Sequence, residues 1–238
     1  MQRYFVSINQ NDIVFNKDDV FHISKVMRFK SGEEIQIVNK DTHEVFLAVI
    51  DSLNPLQVHI QERINENSEL YKDVTLFFAL AKSDKIELVI QKATELGAKR
   101  VVLFQGERSV VKFSNDDFAR KSARYQAIAK EASEQCHRNV IPEIFYVDNI
   151  KKIESYLCDV NLFAYELEAG QASNIESHVC SADKSISIII GPEGGFSSKE
   201  ADYLKSINFI PVSLGNRIYR CETAAIYSLS VIAHILEK

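Results

Sequence analysis

Two glycine-bearing segments hold the residues best suited to chemistry. One reads Ile188-Ile189-Ile190-Gly191-Pro192-Glu193-Gly194-Gly195-Phe196, the other Leu214-Gly215-Asn216-Arg217-Ile218-Tyr219-Arg220-Cys221-Glu222-Thr223-Ala224. A β-branched run ending in Gly-Pro-Glu-Gly-Gly is a buried strand opening into a turn whose backbone a ligand can approach closely. Ser197 stands three residues before Glu200, the spacing of a capping box that starts a helix through Ala201, Leu204 and Ile207. The second segment repeats the arrangement. Phe209 to Leu214 reads as a strand in which Pro211 argues against a fully paired central position, Gly215 follows, and a helix begins near Glu222. Loops at strand C-termini beside helix N-termini are where open α/β sheets bind ligands. The missing Gly-Lys-Ser/Thr ending and the acidic Glu193 disfavour a phosphate cradle, and no spacing assembles a Ser-His-Asp triad.

The elements that position these loops follow from periodicity. Within residues 1–70, short strand signals at Arg3 to Ile8, Glu34 to Val38, Glu44 to Ile50 and Leu56 to Gln61 predict a small β-barrel or sandwich. Asp18 to Arg28 reads as one short helix carrying His22, Lys25 and Arg28, either a phosphate-contacting face or a solvated one. The polar stretch Asn65 to Glu69 reads as a linker, which puts a domain boundary near residue 70. Residues 71–238 then alternate strands and helices. Val74 to Ala81 is a buried strand, Asp84 and Glu87 form a box-like helix start, Gly97 closes that helix, and Arg100 to Phe104 is the next strand. Further strands at Asn161 to Tyr165, Ile186 to Ile190 and Phe209 to Leu214 predict an α/β domain with a mostly parallel sheet and helices on both faces.

On a helix from Asn115 to Cys136, Phe118, Tyr125, Ala129, Ala132 and Cys136 share one side. Arg120, Arg124, Glu131 and Gln135 share another, with Arg138 in line if the helix continues. That stripe suits RNA or a salt-bridged solvent face equally. The final helix, Glu222 to Glu237, is apolar nearly all round, so it is buried in the protein body or in a subunit interface.

The 238 residues, 46% of them apolar, suffice for one large or two small domains. No run approaches a bilayer span, the N-terminus has no signal-peptide layout, and a cytoplasmic location is expected. Cys136, Cys158, Cys180 and Cys221 are far apart, so free thiols and no metal are expected. The net charge of −5 is unevenly spread: residues 71–145 hold 13 Lys/Arg against 10 Asp/Glu, the only basic third. Local fields decide attraction to phosphate, so the total excludes indiscriminate coating of nucleic acid but not RNA.

Several of these pieces together resemble the RsmE-type family of ribosomal RNA methyltransferases, in the SPOUT (trefoil-knot) superfamily. They are His22-x-x-Lys25-Val26-Met27-Arg28 with Gly32, Lys82 with Gln91 to Gly97, and Arg108-Ser109-Val110. Glu131-Ala132-x-x-Gln135-x-x-Arg138 and the two glycine-bearing segments complete the set. The chain departs from the family pattern at Tyr219, where Leu is usual, at Cys221, where Thr is usual, and at Ser83, where Gly is common.

The resemblance implies a PUA-like β-barrel that binds RNA over residues 1–70 and a knotted SPOUT methyltransferase domain over 71–238. It implies a homodimer with active sites at the subunit interface, acting on N3 of a uridine in 16S rRNA of the small ribosomal subunit, with no membrane and no metal. S-adenosylmethionine (SAM) would be bound by Tyr165, Gly191, Pro192, Glu193, Gly194, Gly195, Leu214, Gly215, Ile218 and Arg220. Arg220 would stabilise charge on the uracil oxygens, and Glu222 or Glu193 would accept a proton or orient Arg220. His22, Lys25, Arg28, Arg124 and Arg138 would contact RNA.

Overall fold

The computed structural model describes residues 1–9, 12–165 and 173–238. These divide into two compact units, Met1–Glu69 with Ser133–Val140, and Leu70–Ala132 with Ile141–Lys238.

In the first unit, β1 (Arg3–Asn9), β2 (Asp12–Val14), β3 (Glu34–Asn39), β4 (Val45–Leu53) and β5 (Leu56–Ile64) form one sheet in the order β2-β1-β3-β4-β5. Only β1 and β3 run parallel. β2 comes into contact with β5 without a ladder among the described residues, so the sheet curls into a half-barrel, in line with the small β-barrel expected. Its buried face gathers Tyr4, Val6, Ile23, Ile35, Ile37, Ala48 and Ile50.

The parallel β1–β3 crossover contains α1 (Lys17–Phe21), capped by Asn16, whose side-chain oxygen accepts the Asp19 N–H at 2.7 Å. The single helix expected over 18–28 does not persist. It widens into a π turn at His22–Val26, closed by the Met27 N–H donating to the His22 carbonyl, and Arg28 takes φ +55°. This leaves Lys25, Val26, Met27 and Arg28 exposed.

The expected linker is not slack. Glu66 accepts from the buried Arg3 at 2.7 Å, and Glu69 accepts from Arg138 and from the Asn139 and Val140 N–H groups.

In the second unit, six parallel strands lie in the order β11-β9-β10-β6-β7-β8. They are β6 (Asp73–Ala79), β7 (Arg100–Phe104), β8 (Glu143–Val147), β9 (Val160–Ala164), β10 (Ser185–Ile190) and β11 (Phe209–Val212). Alternate residues of one strand feed two cores. Val74, Leu76 and Phe78 of β6 pack toward α2 (Ser83–Glu95), α3 (Asn115–Gln135), α4 (Ile175–Ser181) and α6 (Cys221–Leu236). Phe77 and Ala79 pack with Ile150, Ile153 and α5 (Ser198–Ser206). Burial on both faces explains why these strands read as continuous apolar runs. Pro211 is tolerated because β11 is an edge strand.

Two helix starts differ from expectation in opposite ways. At α2 the N-cap is Lys82, with no side-chain capping bond, so Asp84 and Glu87 do not form a box. Glu87 instead receives Arg124. At α3 the box is Ser114 with Asp117, whose carboxyl is drawn down to about 2 by hydrogen bonds from the Ser114 backbone and hydroxyl and from Arg120.

Candidate functional site

Because β9, β10 and β11 are neighbours and run in one direction, the chain leaves all three at the same sheet edge. The three exits bound a cleft of about 770 Å³. Its walls include Tyr165 after β9, Gly191, Pro192, Glu193 and Gly195 after β10, and Leu214, Gly215, Ile218 and Arg220 after β11. Gly194 is the exception among the ten residues expected to bind the cofactor. It turns away from the cleft, and its carbonyl accepts from Arg108 Nη1 at 3.0 Å.

The loop after β10 is braced from behind. The Gly195 N–H donates to the Pro192 carbonyl at 2.8 Å, and Ser197 and Glu200 form the expected capping box on α5. Glu200 also accepts the Glu107 N–H at 2.8 Å. A Cβ at Gly191 would lie 3.1 Å from the Phe196 ring, so a larger residue would displace that ring. Gly215, at φ +105°, faces open space, and the cleft needs its backbone bare rather than its volume small.

The polar end of the cleft centres on Lys85, in the first turn of α2. Its Nζ lies 3.1 Å from Glu193 Oε1 and 3.2 Å from Glu222 Oε2. Burial acts to lower the ammonium, but hydrogen bonds to Glu193 and Glu222 outweigh it and hold Lys85 above its ordinary value. For Glu222, burial acts to raise the carboxyl. Bonds from its own backbone N–H, Cys221 and Lys85 prevail and keep it below the usual carboxylate range. The Cys221 thiol is pushed up to about 12, first by burial and then by its bond to Glu222, so it stays a neutral donor. Tyr219 stacks on Tyr227 with centroids 5.4 Å apart and meets Arg217 Nη2 through its hydroxyl at 3.2 Å. These contacts give structural roles to the two departures from the family pattern beside Arg220.

Arg220 occupies the N-cap of α6, exposed and without an ion pair among the described residues. Glu222, two residues on, is a member of the Lys85 cluster. Two carboxylates share one ammonium at this end, Ser213, Asn216, Arg217 and Arg220 stand in the wall formed after β11, and the remaining lining is mostly apolar or bare backbone. The carboxylate pair suits a cationic centre, and the bare and apolar walls suit the body of a bulky ligand.

Lys85 escaped the sequence reading because its partners lie 108 and 137 positions away. Its place just beyond β6, on the edge where the glycine loops open, is the signal that could have found it. Lys85→Met should raise the Glu222 carboxyl toward or above the ordinary range. Since Glu222 is low in the folded chain, the stability of its ionised form is present above the unfolded value and lost as pH falls through the folded one. The variant should lose it at higher pH, as read by carbon-13 titration of the glutamate carboxyls, and an unmoved Glu222 would refute the pairing.

The expected RNA contacts are not brought together. Lys25 and Arg28 are exposed in the first unit beside exposed Phe21, Val26 and Met27. His22 is half-buried, with Nδ1 2.9 Å from the Tyr4 hydroxyl. Arg124 is exposed but bidentate on Glu87 at 2.7 and 2.6 Å. Arg138 is a correction: α3 ends at Gln135, His137 turns the chain at φ +59°, and the Arg138 side chain is 3% exposed and bonded to Glu69. It is a structural residue of the first unit.

Among the described residues no group of three or more His, Cys, Asp or Glu is placed to hold a metal, and no helix is long and apolar enough to cross a membrane.

Comparison with known proteins accounts for both units. Residues 68–233 match the family described as RNA methyltransferase domain, and residues 15–62 match that described as RNA methyltransferase PUA domain. Ribosomal RNA small subunit methyltransferase E of Bacillus subtilis (strain 168) is 35% identical, with 100% of this chain and 98% of that protein covered. The protein of the same name from Buchnera aphidicola subsp. Acyrthosiphon pisum is 30% identical over 94% of this chain and 89% of its own length. A solved Legionella pneumophila structure, in complex with the bound cofactor SAM, superposes with TM-score 0.86 at 29% identity, covering 97% of this chain and 96% of that one. With a PUA-type sheet, an all-parallel α/β sheet and this degree of likeness over its whole length, the chain belongs to the RNA methyltransferase family that includes the ribosomal RNA small subunit methyltransferase E proteins.

Proposed function

We propose that the chain is a SAM-dependent methyltransferase acting on N3 of a uridine in the 16S rRNA of the small ribosomal subunit, in the cytoplasm. The observation that carries this reading is the single cleft that joins both glycine loops, the unpaired Arg220 and the N-terminus of α6. SAM, when bound, supplies an electrophilic methyl group on a sulfonium. The glycine loops would hold it through bare backbone, and the carboxylate excess around Lys85 suits its positive charge.

N3 must lose a proton as it is methylated, and negative charge then spreads onto the uracil oxygens. Arg220 and the positive end of the 16-residue α6 stabilise that charge. Glu222, ionised and held low, is a weak base. It accepts the N3 proton only because Arg220 and the helix end weaken the proton's hold on the ring. Turnover should therefore rise with pH through the neutral range as N3 ionises, with no acid limb from Glu222 there. N3 lies on the Watson–Crick edge, so the target base must be unpaired or extruded, and a regular duplex should react poorly.

Residues 1–70 serve in this reading as the RNA-binding domain, through Lys25 and Arg28 with His22 and the exposed apolar side chains beside them, and residues 71–238 as the methyltransferase domain. Ile218, 88% exposed, and the exposed Tyr227 on α6 support a homodimer with its active sites at the interface. The trefoil knot belongs to the same reading, supported by the crossed order β11-β9-β10.

The test is incubation with labelled SAM and either 16S rRNA or small subunits lacking the modification, followed by mapping of the product. N3-methyluridine at one position is expected. No methyluridine in any substrate would sink the reading.

A further inference from the structure

A second cavity, of about 440 Å³, lies in the same unit and has no part in the cofactor site just described. Gln105 and Gly106, just past β7, line it, as do Asn149 and Lys151 at the start of the 3₁₀ turn Ile150–Tyr156, and Lys199 and Tyr203 of α5. Lys112 completes its cationic lining. Gly106 sits against Pro192, and a Cβ there would meet that ring at 3.4 Å. Pro192 lines the cofactor cleft, so Gly106 brings the rim of this cavity against the Gly191–Gly195 loop.

The charges around this cavity are unequally committed. Lys112, Lys151 and Lys199 are all exposed, and none has an ion pair among the described residues. Of the three carboxylates on the wall, Asp148 is taken by Lys152 at 2.7 Å. Glu200 is buried and accepts two backbone N–H groups, from Glu107 at 2.8 Å and Ser197 at 2.9 Å. Glu107 is the one acid left without a partner among the described residues. Three uncommitted ammonium groups around a concave space make an anion site, and the neutral donors of Gln105 and Asn149 suit the oxygens of a phosphodiester.

We infer that this cavity is a subsite for a backbone phosphate of the substrate RNA, next to the nucleotide presented to the cofactor cleft. The inference rests on the proposed RNA methylation, because that reading puts an RNA strand at this sheet edge. It gives a chain of net charge −5 three ammonium groups without ion pairs among the described residues with which to meet RNA near its chemistry. Phosphate contacts of this kind position the strand without reading its sequence.

The test compares the triple variant Lys112→Gln, Lys151→Gln, Lys199→Gln with a control of equal charge loss, Lys99→Gln, Lys184→Gln, Lys238→Gln. Filter binding of a 16S rRNA fragment is measured over a range of salt concentrations, alongside SAM binding by calorimetry. Loss of the contact to one single-strand phosphate should shrink the slope of log K against log salt by about 0.7 in the cavity variant and leave it unchanged in the control. SAM affinity should match wild type in both. Competition with inorganic phosphate at fixed ionic strength completes the comparison. Weak competition in the wild type marks the site as one for RNA, whereas tight inorganic phosphate binding that the cavity variant abolishes would make it a free-phosphate site and overturn the inference. Equal slopes in the two variants, whether both reduced or both intact, would also overturn it, leaving the methylation reading intact if wild type still forms methyluridine. If wild type formed none, the methylation reading would fall, and the slopes would still decide whether the cavity binds RNA.

Discussion

Arg220→Ala should lower the turnover of methyl transfer by about 10²–10³-fold, the usual effect of deleting one donor aimed at developing negative charge. Arg220 is exposed, unpaired among the described residues and makes no capping bond, so its removal should leave the thermal midpoint within the small range expected of a surface substitution. An interaction realised mainly in the transition state lowers kcat and kcat/KM together, and that joint fall separates this role from ground-state binding of RNA or SAM. Arg220→Lys should recover only part of the loss. An ammonium supplies the charge, but not the planar fork that can meet a uracil oxygen and a neighbouring acceptor at once. Turnover measured at saturating RNA and SAM decides the matter, and a folded Arg220→Ala enzyme within threefold of wild type would remove Arg220 from the mechanism.

What the sequence revealed and what it concealed divide by the range of the interaction. The Ser197–Glu200 box, the Gly97 helix stop and the buried strands at Val74 and Ile186 are local patterns, and each is found where its residues predict it. The glycine loops were legible for the same reason, since a bare backbone is written in consecutive residues. The Lys85 cluster and the Arg138–Glu69 pair join residues from 69 to 137 positions apart, and nothing periodic connects them. Arg138 misled because an i, i+3 stripe continues on paper past the point where His137 turns the chain. The box expected at Asp84 failed for a related reason: Glu87 had a better partner in Arg124, on another helix. β8 went unread because its residues are only partly buried and lie at the sheet edge, where the apolar signal is weak.

Glu69→Ala should destabilise the first unit by about 1.5–3 kcal/mol, the usual cost of losing hydrogen bonds to a charged group. The Glu69 carboxylate accepts from Arg138 Nε and Nη2 and from the N–H groups of Asn139 and Val140 at 2.9 and 3.1 Å, so its loss removes charged hydrogen bonds to the guanidinium and the acceptor of two backbone donors together. Glu69→Gln keeps one acceptor oxygen and should cost less. The double variant Glu69→Leu, Arg138→Met should recover the part of the loss that comes from the charges, because an apolar pair of similar volume needs no desolvation. Urea unfolding followed by hydrogen exchange in Ser133–Val140 reads the effect within this unit, and the cycle of wild type, Glu69→Leu, Arg138→Met and the double variant isolates the pair's coupling. A Glu69→Ala cost below about 1 kcal/mol, the value for an exposed pair, would show that the bridge is not buried in solution. The same double variant separates structure from recognition. With that part of the stability restored and Arg138 gone, RNA affinity and its salt dependence should equal wild type, because a guanidinium enclosed by Glu69 has no surface to offer a phosphate. A weakened, salt-flattened RNA complex in that variant would return Arg138 to the binding face.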